Sequence, residues 1–145
     1  MSLEDDFKLE RYKLVTDRQK YFTELARDSF AYYIKIFTAL AMAAITILSA
    51  SSRLGLEYEL LRHLIFGVAG LVTFLGIAAI GQIVFCLFRW RGYRHAERDV
   101  YPDSPPIKWW WWIFESLYCV CIAISVGVVW AVSKSILALI SKSAV

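Results

Sequence analysis

Residues 64–88 read LIFGVAGLVTFLGIAAIGQIVFCLF, a stretch of 25 residues that carries no charged side chain. A helix of about 20 residues is already long enough to cross the hydrocarbon core of a bilayer. The stretch contains four glycines, which would weaken a helix in water but in lipid let neighbouring helices approach closely. We therefore predict a membrane-spanning helix here, with Gly70 and Gly76 as candidate helix-packing positions.

Two more apolar stretches lie on either side of this one. Residues 36–52 are 17 residues without a charge, and residues 109–133 begin with four tryptophans, which are typical of the aromatic belt at a membrane interface. The chain of 145 residues is 59% hydrophobic, and a soluble domain of this length would not carry charge-free runs this long. We predict an all-α membrane protein with three transmembrane helices, at about residues 36–52, 64–88 and 109–133, within a transmembrane domain of residues 36–145.

The N-terminal segment, residues 1–35, is charged and amphipathic. It holds seven Lys or Arg and seven Asp or Glu, and no Gly or Pro, so we predict a long helix that runs straight into the first span. Phe7, Leu14 and Tyr21 stand seven residues apart in a heptad-like stripe, with Leu3 and Leu25 near the same face. One interpretation is that the stripe packs on the chain's own connecting loop or lies on the membrane surface. The other is that it serves self-association or partner binding.

The distribution of basic residues predicts the orientation of the spans. Three spans place the N-terminal segment and the connector at residues 89–108 on the same side of the membrane. Together these two segments carry 12 Lys or Arg, and the opposite side carries 4. The positive-inside rule then predicts a cytoplasmic N-terminus, which makes residues 1–35 a long cytoplasmic helix.

Glu115 is the one acidic residue within a predicted span. It lies about 9 Å beyond Trp109 by helical rise, and Gln82 and Lys35 fall in the same leaflet. An unpaired carboxylate is costly in lipid. Either Glu115 pairs with Lys35 or bonds to Gln82 and fixes helix packing, or it lines a cation pathway or gate in an oligomer. A proton relay is a third alternative.

Four arginines interleaved with aromatic residues stand in the connector at residues 89–108: Arg89, Arg91, Arg94 and Arg98. One interpretation is ordinary cytoplasmic topology charge in contact with anionic lipid. The other is a surface that binds an anionic or nucleotide signal together with the N-terminal segment.

Small residues recur at helical spacing on the first and third spans. Such stripes are typical of faces where membrane helices pack closely. The candidate packing residues are Ala39 and Ala43 on the first span and Ala123, Gly127 and Ala131 on the third.

Several function classes have no support in the sequence. No phosphate-binding loop, nucleophile elbow or metal-ligand spacing is present, and Cys86, Cys119 and Cys121 lie inside apolar runs. The net charge of +3 is too small to indicate nucleic-acid binding. We therefore expect a protein that is not an enzyme, needs no cofactor or metal, and has no direct nucleic-acid signature.

A charged, aromatic helix that runs directly into small spans, RYKLVTDRQKYFTELARDSFAYYIKIF at residues 11–37, resembles SLATT-type and related small membrane effectors of bacterial anti-phage systems. The resemblance is one of layout, and the third, tryptophan-led span departs from the two spans typical of such families. It implies a homo-oligomeric effector in the cell inner membrane that conducts ions or disrupts the bilayer, controlled by a nucleotide signal or a regulatory protein. The competing hypotheses are a non-catalytic accessory subunit of a larger membrane complex and a holin-like pore.

Overall fold

The computed structural model describes residues 3–54, 57–100 and 111–143, and these residues form three α-helices with no strand among them. The helices are α1 (Leu3–Leu54), α2 (Tyr58–Val100) and α3 (Trp111–Ser143). Each helix is long and apolar enough to cross a membrane. The predicted class, an all-α multi-pass membrane protein with three spanning helices, is confirmed.

The first helix joins the charged N-terminal segment to the first span without a break. α1 contains 52 residues and is therefore about 78 Å long at 1.5 Å per residue. Neither Gly nor Pro interrupts it, and it ends at Leu54, directly before Gly55. Glycine is the residue type that most often follows the C-terminus of a helix. The expected continuity of the charged helix and the first span is confirmed.

The second and third helices are longer than the apolar stretches that predicted them. α2 begins at Tyr58 and continues to Val100, so both of its ends are helical where a connector was expected. The segment contains no proline, and it ends two residues before Pro102 in the sequence. A proline disfavours helical backbone at the residue before it. α3 likewise continues beyond residue 133, as far as Ser143.

Contacts divide the chain into two compact units, each built from parts of all three helices. Unit 1 comprises Met1–Phe30 and Ile80–Cys119, and unit 2 comprises Ala31–Ala79 and Val120–Val145. The buried apolar residues of unit 1 are Val15, Ala26, Ile83 and Cys86, and those of unit 2 are Tyr33, Leu61, Ala69, Val72, Ile122 and Leu137.

In unit 2, α2 and α3 come into close contact at Gly76. A Cβ atom at this position would lie 3.0 Å from Val126 Cγ2 and 3.2 Å from Ile122 Cγ2. Nearby, the Tyr33 hydroxyl shares a hydrogen bond of 2.6 Å with Ser125 Oγ. Only a residue without a side chain fits this contact as it stands, so Gly76 occupies a helix-packing position.

The other six candidate packing residues are exposed in the single chain. They are Ala39, Ala43, Gly70, Ala123, Gly127 and Ala131. Within the most apolar stretch of each helix, only 6%, 22% and 11% of the residues of α1, α2 and α3 are buried inside the protein. Most of this apolar surface is therefore available to lipid or to other chains, and packing through the six residues stays a prediction about such chains.

Candidate functional site

The site centres on Glu115, near the start of α3 in unit 1. Its Oε2 atom is buried and has no hydrogen-bond partner among the residues that the structure describes. Leaving a polar group buried without a partner costs free energy, and most of all for a carboxylate. This oxygen is therefore suited to bind something else, such as a cation or a water molecule.

Glu115 borders a very small cavity between the three helices of unit 1. The cavity has a volume of about 10 Å³ and is lined by Phe22, Thr23, Ala26, Cys86, Leu87, Trp90 and Glu115. This volume is at the lower limit of about 10–15 Å³ that a single water molecule needs. The cavity is therefore too small to hold a hydrated ion.

A larger, polar cleft of about 320 Å³ lies in the same unit. On α1 it is lined by Thr16, Gln19, Lys20, Thr23, Glu24 and Arg27, and on α2 by Trp90. The α1 residues recur every three or four positions, which places them along one side of the helix. Unlike the cavity at Glu115, this cleft is wide enough for several water molecules.

The cleft and the small cavity share two lining residues, Thr23 and Trp90. Thr16 lines the cleft and Glu115 lines the cavity, and each residue has one buried side-chain oxygen, Oγ1 and Oε2 respectively, without a hydrogen-bond partner in the described part of the chain. Residues with an unsatisfied buried oxygen therefore line both spaces.

The other two residues of the predicted polar layer are exposed. Gln82 has an exposed side chain, and no hydrogen bond joins it to Glu115 in the described part of the chain. Lys35 is exposed as well, and its ammonium nitrogen lies 5.4 Å from the ring centroid of Tyr32 on the same helix. A role for Lys35 and Gln82 beside an ion path stays a prediction.

Arg94 differs from the other arginines of the α2 cluster because it is turned inward. Its side chain is 14% exposed and forms an ion pair with Glu97, whose side chain is 4% exposed. The Glu97 carboxylate also accepts a hydrogen bond of 2.7 Å from Gln19 Nε2, a side chain that lines the polar cleft. The hydrogen bond from Gln19 to Glu97 therefore joins α1 to α2, and Arg94 balances the charge of its acceptor.

Arg89, Arg91 and Arg98 are exposed. The guanidinium carbon of Arg89 lies 5.5 Å from the ring centroid of Phe85, an arrangement typical of a cation–π contact. Exposure is what the binding of anionic lipid or of an anionic signal requires, and both interpretations of the cluster stay open for these three residues.

Packing of α1 on α2 uses a face of α1 that sequence reasoning missed. Val15 and Ala26 are buried on it, and Phe22 between them stacks on Tyr93 with 5.7 Å between ring centroids. The signal in the sequence was the spacing of Val15, Gln19, Phe22 and Ala26, which repeats every three or four residues and marks one side of a helix. This pattern is less conspicuous than the heptad-like stripe, because the stripe carries larger apolar side chains.

Glu115 is the residue of this region that could attract a cation, because one of its carboxylate oxygens is buried without a hydrogen-bond partner among the described residues. Among the described residues, no group of three or more His, Cys, Asp or Glu side chains is placed to hold a metal ion. No protein-family model, no curated protein and no solved structure matches the chain.

Proposed function

We propose that this protein is a homo-oligomeric membrane effector that conducts ions, with its gate at the constriction beside Glu115. The observation that carries the proposal is the buried Glu115 oxygen without a hydrogen-bond partner among the described residues, on a residue that lines a small cavity next to a cleft with polar side chains. Acidic residues inside membrane segments are rare and typically mark ion pathways. In an oligomer, one carboxylate from each chain would form the kind of acidic ring that selects cations.

Gating would widen the constriction at Trp90. This residue lines both the cleft and the small cavity, so a movement of its ring would open or close the space between them. Trp90 lies on α2 beside Arg89 and Arg91 and about two turns before Arg98. A nucleotide or a regulatory protein that binds these exposed arginines would act on the same helix that carries Trp90. With the N-terminus in the cytoplasm, this surface would face the cytoplasm.

The layout resemblance extends the proposal to bacterial anti-phage defence, in which the effector would depolarise the inner membrane after a signal. Expression in bacteria is then expected to slow growth, and Glu115→Gln is expected to reduce this toxicity.

A non-catalytic subunit of a larger membrane complex is the second candidate function. It is favoured by the exposed small-residue positions on α1 and α3, such as Ala39, Ala43 and Gly127, which could pack against a different protein. The mass of the purified protein separates the two candidates. A defined homo-oligomer supports the effector, and a chain that is stable only with another protein supports the subunit.

The experiment that tests ion conduction measures cation flux into liposomes that contain the purified protein, alongside its mass in detergent. We expect Glu115→Gln to reduce cation flux on the order of tenfold, which corresponds to about 1.4 kcal/mol in the barrier, without a change in mass. Glu59→Gln is the matched control, because Glu59 is an exposed carboxylate paired with Arg62 at the start of α2.

Equal cation flux through native protein and Glu115→Gln would remove Glu115 from the path. A monomer that conducts nothing would contradict the homo-oligomeric channel altogether. Loss of the oligomer in Glu115→Gln would instead assign Glu115 to helix packing.

A further inference from the structure

The heptad-like stripe on the N-terminal half of α1 is exposed, and within the described part of unit 1 Tyr21 has a ring contact with its neighbour Phe22. Phe7, Leu14 and Tyr21 are 67%, 59% and 51% exposed. The side of α1 that packs on α2 carries Val15 and Ala26 instead, which are 4% and 2% exposed. Packing of the stripe on the chain's own connecting segment stays a prediction, because residues 101–110 of that segment lie outside the residues that the structure describes.

The stripe has an acidic border on one side and a basic border on the other. An acidic residue follows each stripe residue by three positions, and a basic residue follows each of the first two by four. At 3.6 residues per turn, the third following residue lies about 60° to one side of the stripe and the fourth about 40° to the other. The acidic border is Glu10, Asp17 and Glu24, the basic border is Arg11 and Arg18, and all five side chains are exposed.

All five side chains are exposed, and Glu24 also lines the cleft of unit 1. The charged borders of the stripe are therefore accessible to another molecule.

We propose that this stripe is the surface through which copies of this chain pair, with their α1 helices parallel. The inference rests on the homo-oligomer of the proposed function and adds the contact that builds it. When two parallel helices face each other across a rotation axis, opposite borders of the two stripes meet. The acidic border of one copy then faces the basic border of its neighbour, for example Asp17 opposite Arg18.

Charge complementarity distinguishes this arrangement from two others. In an antiparallel pair, the acidic borders would face each other and so would the basic borders, which is repulsive. Copies inserted into a membrane with one topology have parallel α1 helices, so the topology favours the attractive arrangement. A helix that lies on an anionic membrane surface usually has basic residues around its apolar face, whereas one whole border here is acidic.

The test is oxidative cross-linking of the full chain in membranes through Leu14→Cys. We expect cross-linked dimers well above the level that the three native cysteines give. Leu9→Cys is the matched control, because Leu9 is also exposed but lies on the other side of α1, two residues after Phe7.

Charge reversal then tests the two borders. In the Leu14→Cys background, Asp17→Arg alone and Arg18→Asp alone are each expected to lower the cross-linked fraction about three- to tenfold, because each creates two like-charge contacts in a symmetric pair. The variant with both changes exchanges the borders and is expected to restore cross-linking to within about twofold of its parent. A merely structural defect would not be rescued by the second change.

The mass in detergent separates failure of this inference from failure of the proposed function. An oligomeric protein that does not cross-link through residue 14, or that cross-links equally well through residue 9, overturns the stripe as the contact and leaves the oligomeric channel standing. A monomeric protein overturns both.

Discussion

Replacing Gly76 by alanine tests the close approach of α2 and α3 in unit 2. The added Cβ atom would lie 3.0 Å from Val126 Cγ2 and 3.2 Å from Ile122 Cγ2, whereas carbon atoms prefer separations of about 3.5–4.0 Å. Valine and isoleucine are branched at Cβ and have few alternative rotamers in a helix, so neither neighbour can turn away at low cost.

The expected change in the free energy of unfolding is the difference between the cost of overpacking and the gain in helix propensity. Overpacking of this kind costs about 1–3 kcal/mol, and alanine is favoured over glycine in a helix by about 1 kcal/mol. Gly70→Ala is the matched control, because a Cβ atom at Gly70 would meet no atom within 4 Å. The propensity term is common to both variants, so Gly76→Ala should be less stable than Gly70→Ala by about 1–3 kcal/mol.

Unfolding in mixed micelles of dodecyl sulfate and a mild detergent, followed by tryptophan fluorescence, measures this difference. Adding Val126→Ala to Gly76→Ala should recover part of the loss, because the atom at 3.0 Å is removed. If Gly76→Ala were as stable as Gly70→Ala, the helices would not approach each other as closely as described, and the argument for Gly76 as a packing residue would fail.

Two further substitutions test the polar contacts within each unit. Glu97→Ala removes the buried carboxylate that pairs with Arg94 and accepts from Gln19, so the free energy of unfolding should fall by about 3–5 kcal/mol. In the same micelle assay, a change below about 1 kcal/mol would show that the Glu97 carboxylate, with its contacts to Arg94 and Gln19, does not stabilise the packing of α1 on α2. Tyr33→Phe removes the hydroxyl bonded to Ser125, which keeps its own hydrogen bond to a backbone carbonyl. The cost should therefore be only about 0.6 kcal/mol, and a loss several times larger would mean that the hydroxyl has a second role.

The spanning helices could be predicted because lipid imposes a simple rule on sequence. A stretch such as residues 64–88, with no charge over 25 residues, has no alternative to a membrane helix. The continuity of α1 also followed from sequence, since neither Gly nor Pro precedes Gly55. The full lengths of α2 and α3 could not be predicted from the sequence in this way, because hydropathy indicates the part of a helix that lies in lipid and not the residues at which the helix begins and ends.

The interior of unit 1 could not be predicted from sequence in the same way. α1 offers two faces with helical spacing, and the one that packs on α2 carries Val15 and Ala26, which are smaller than Phe7 and Leu14. Which face turns inward depends on the shape of α2, a tertiary property that no local pattern contains. The position of Glu115 beside Trp90 depends on the same packing.

The unbroken α1 has a consequence for how the charged segment becomes helical. Starting a helix is costly because several residues must be ordered before the first hydrogen bond forms, whereas extending one adds a bond for each residue ordered. Residues 36–52 must be helical in lipid to satisfy their backbone groups, and α1 continues from them back to Leu3. The membrane therefore supplies the nucleus, and the charged segment grows from it as an extension. Removed from its span, the same segment would have to start its own helix and would lose much of its order.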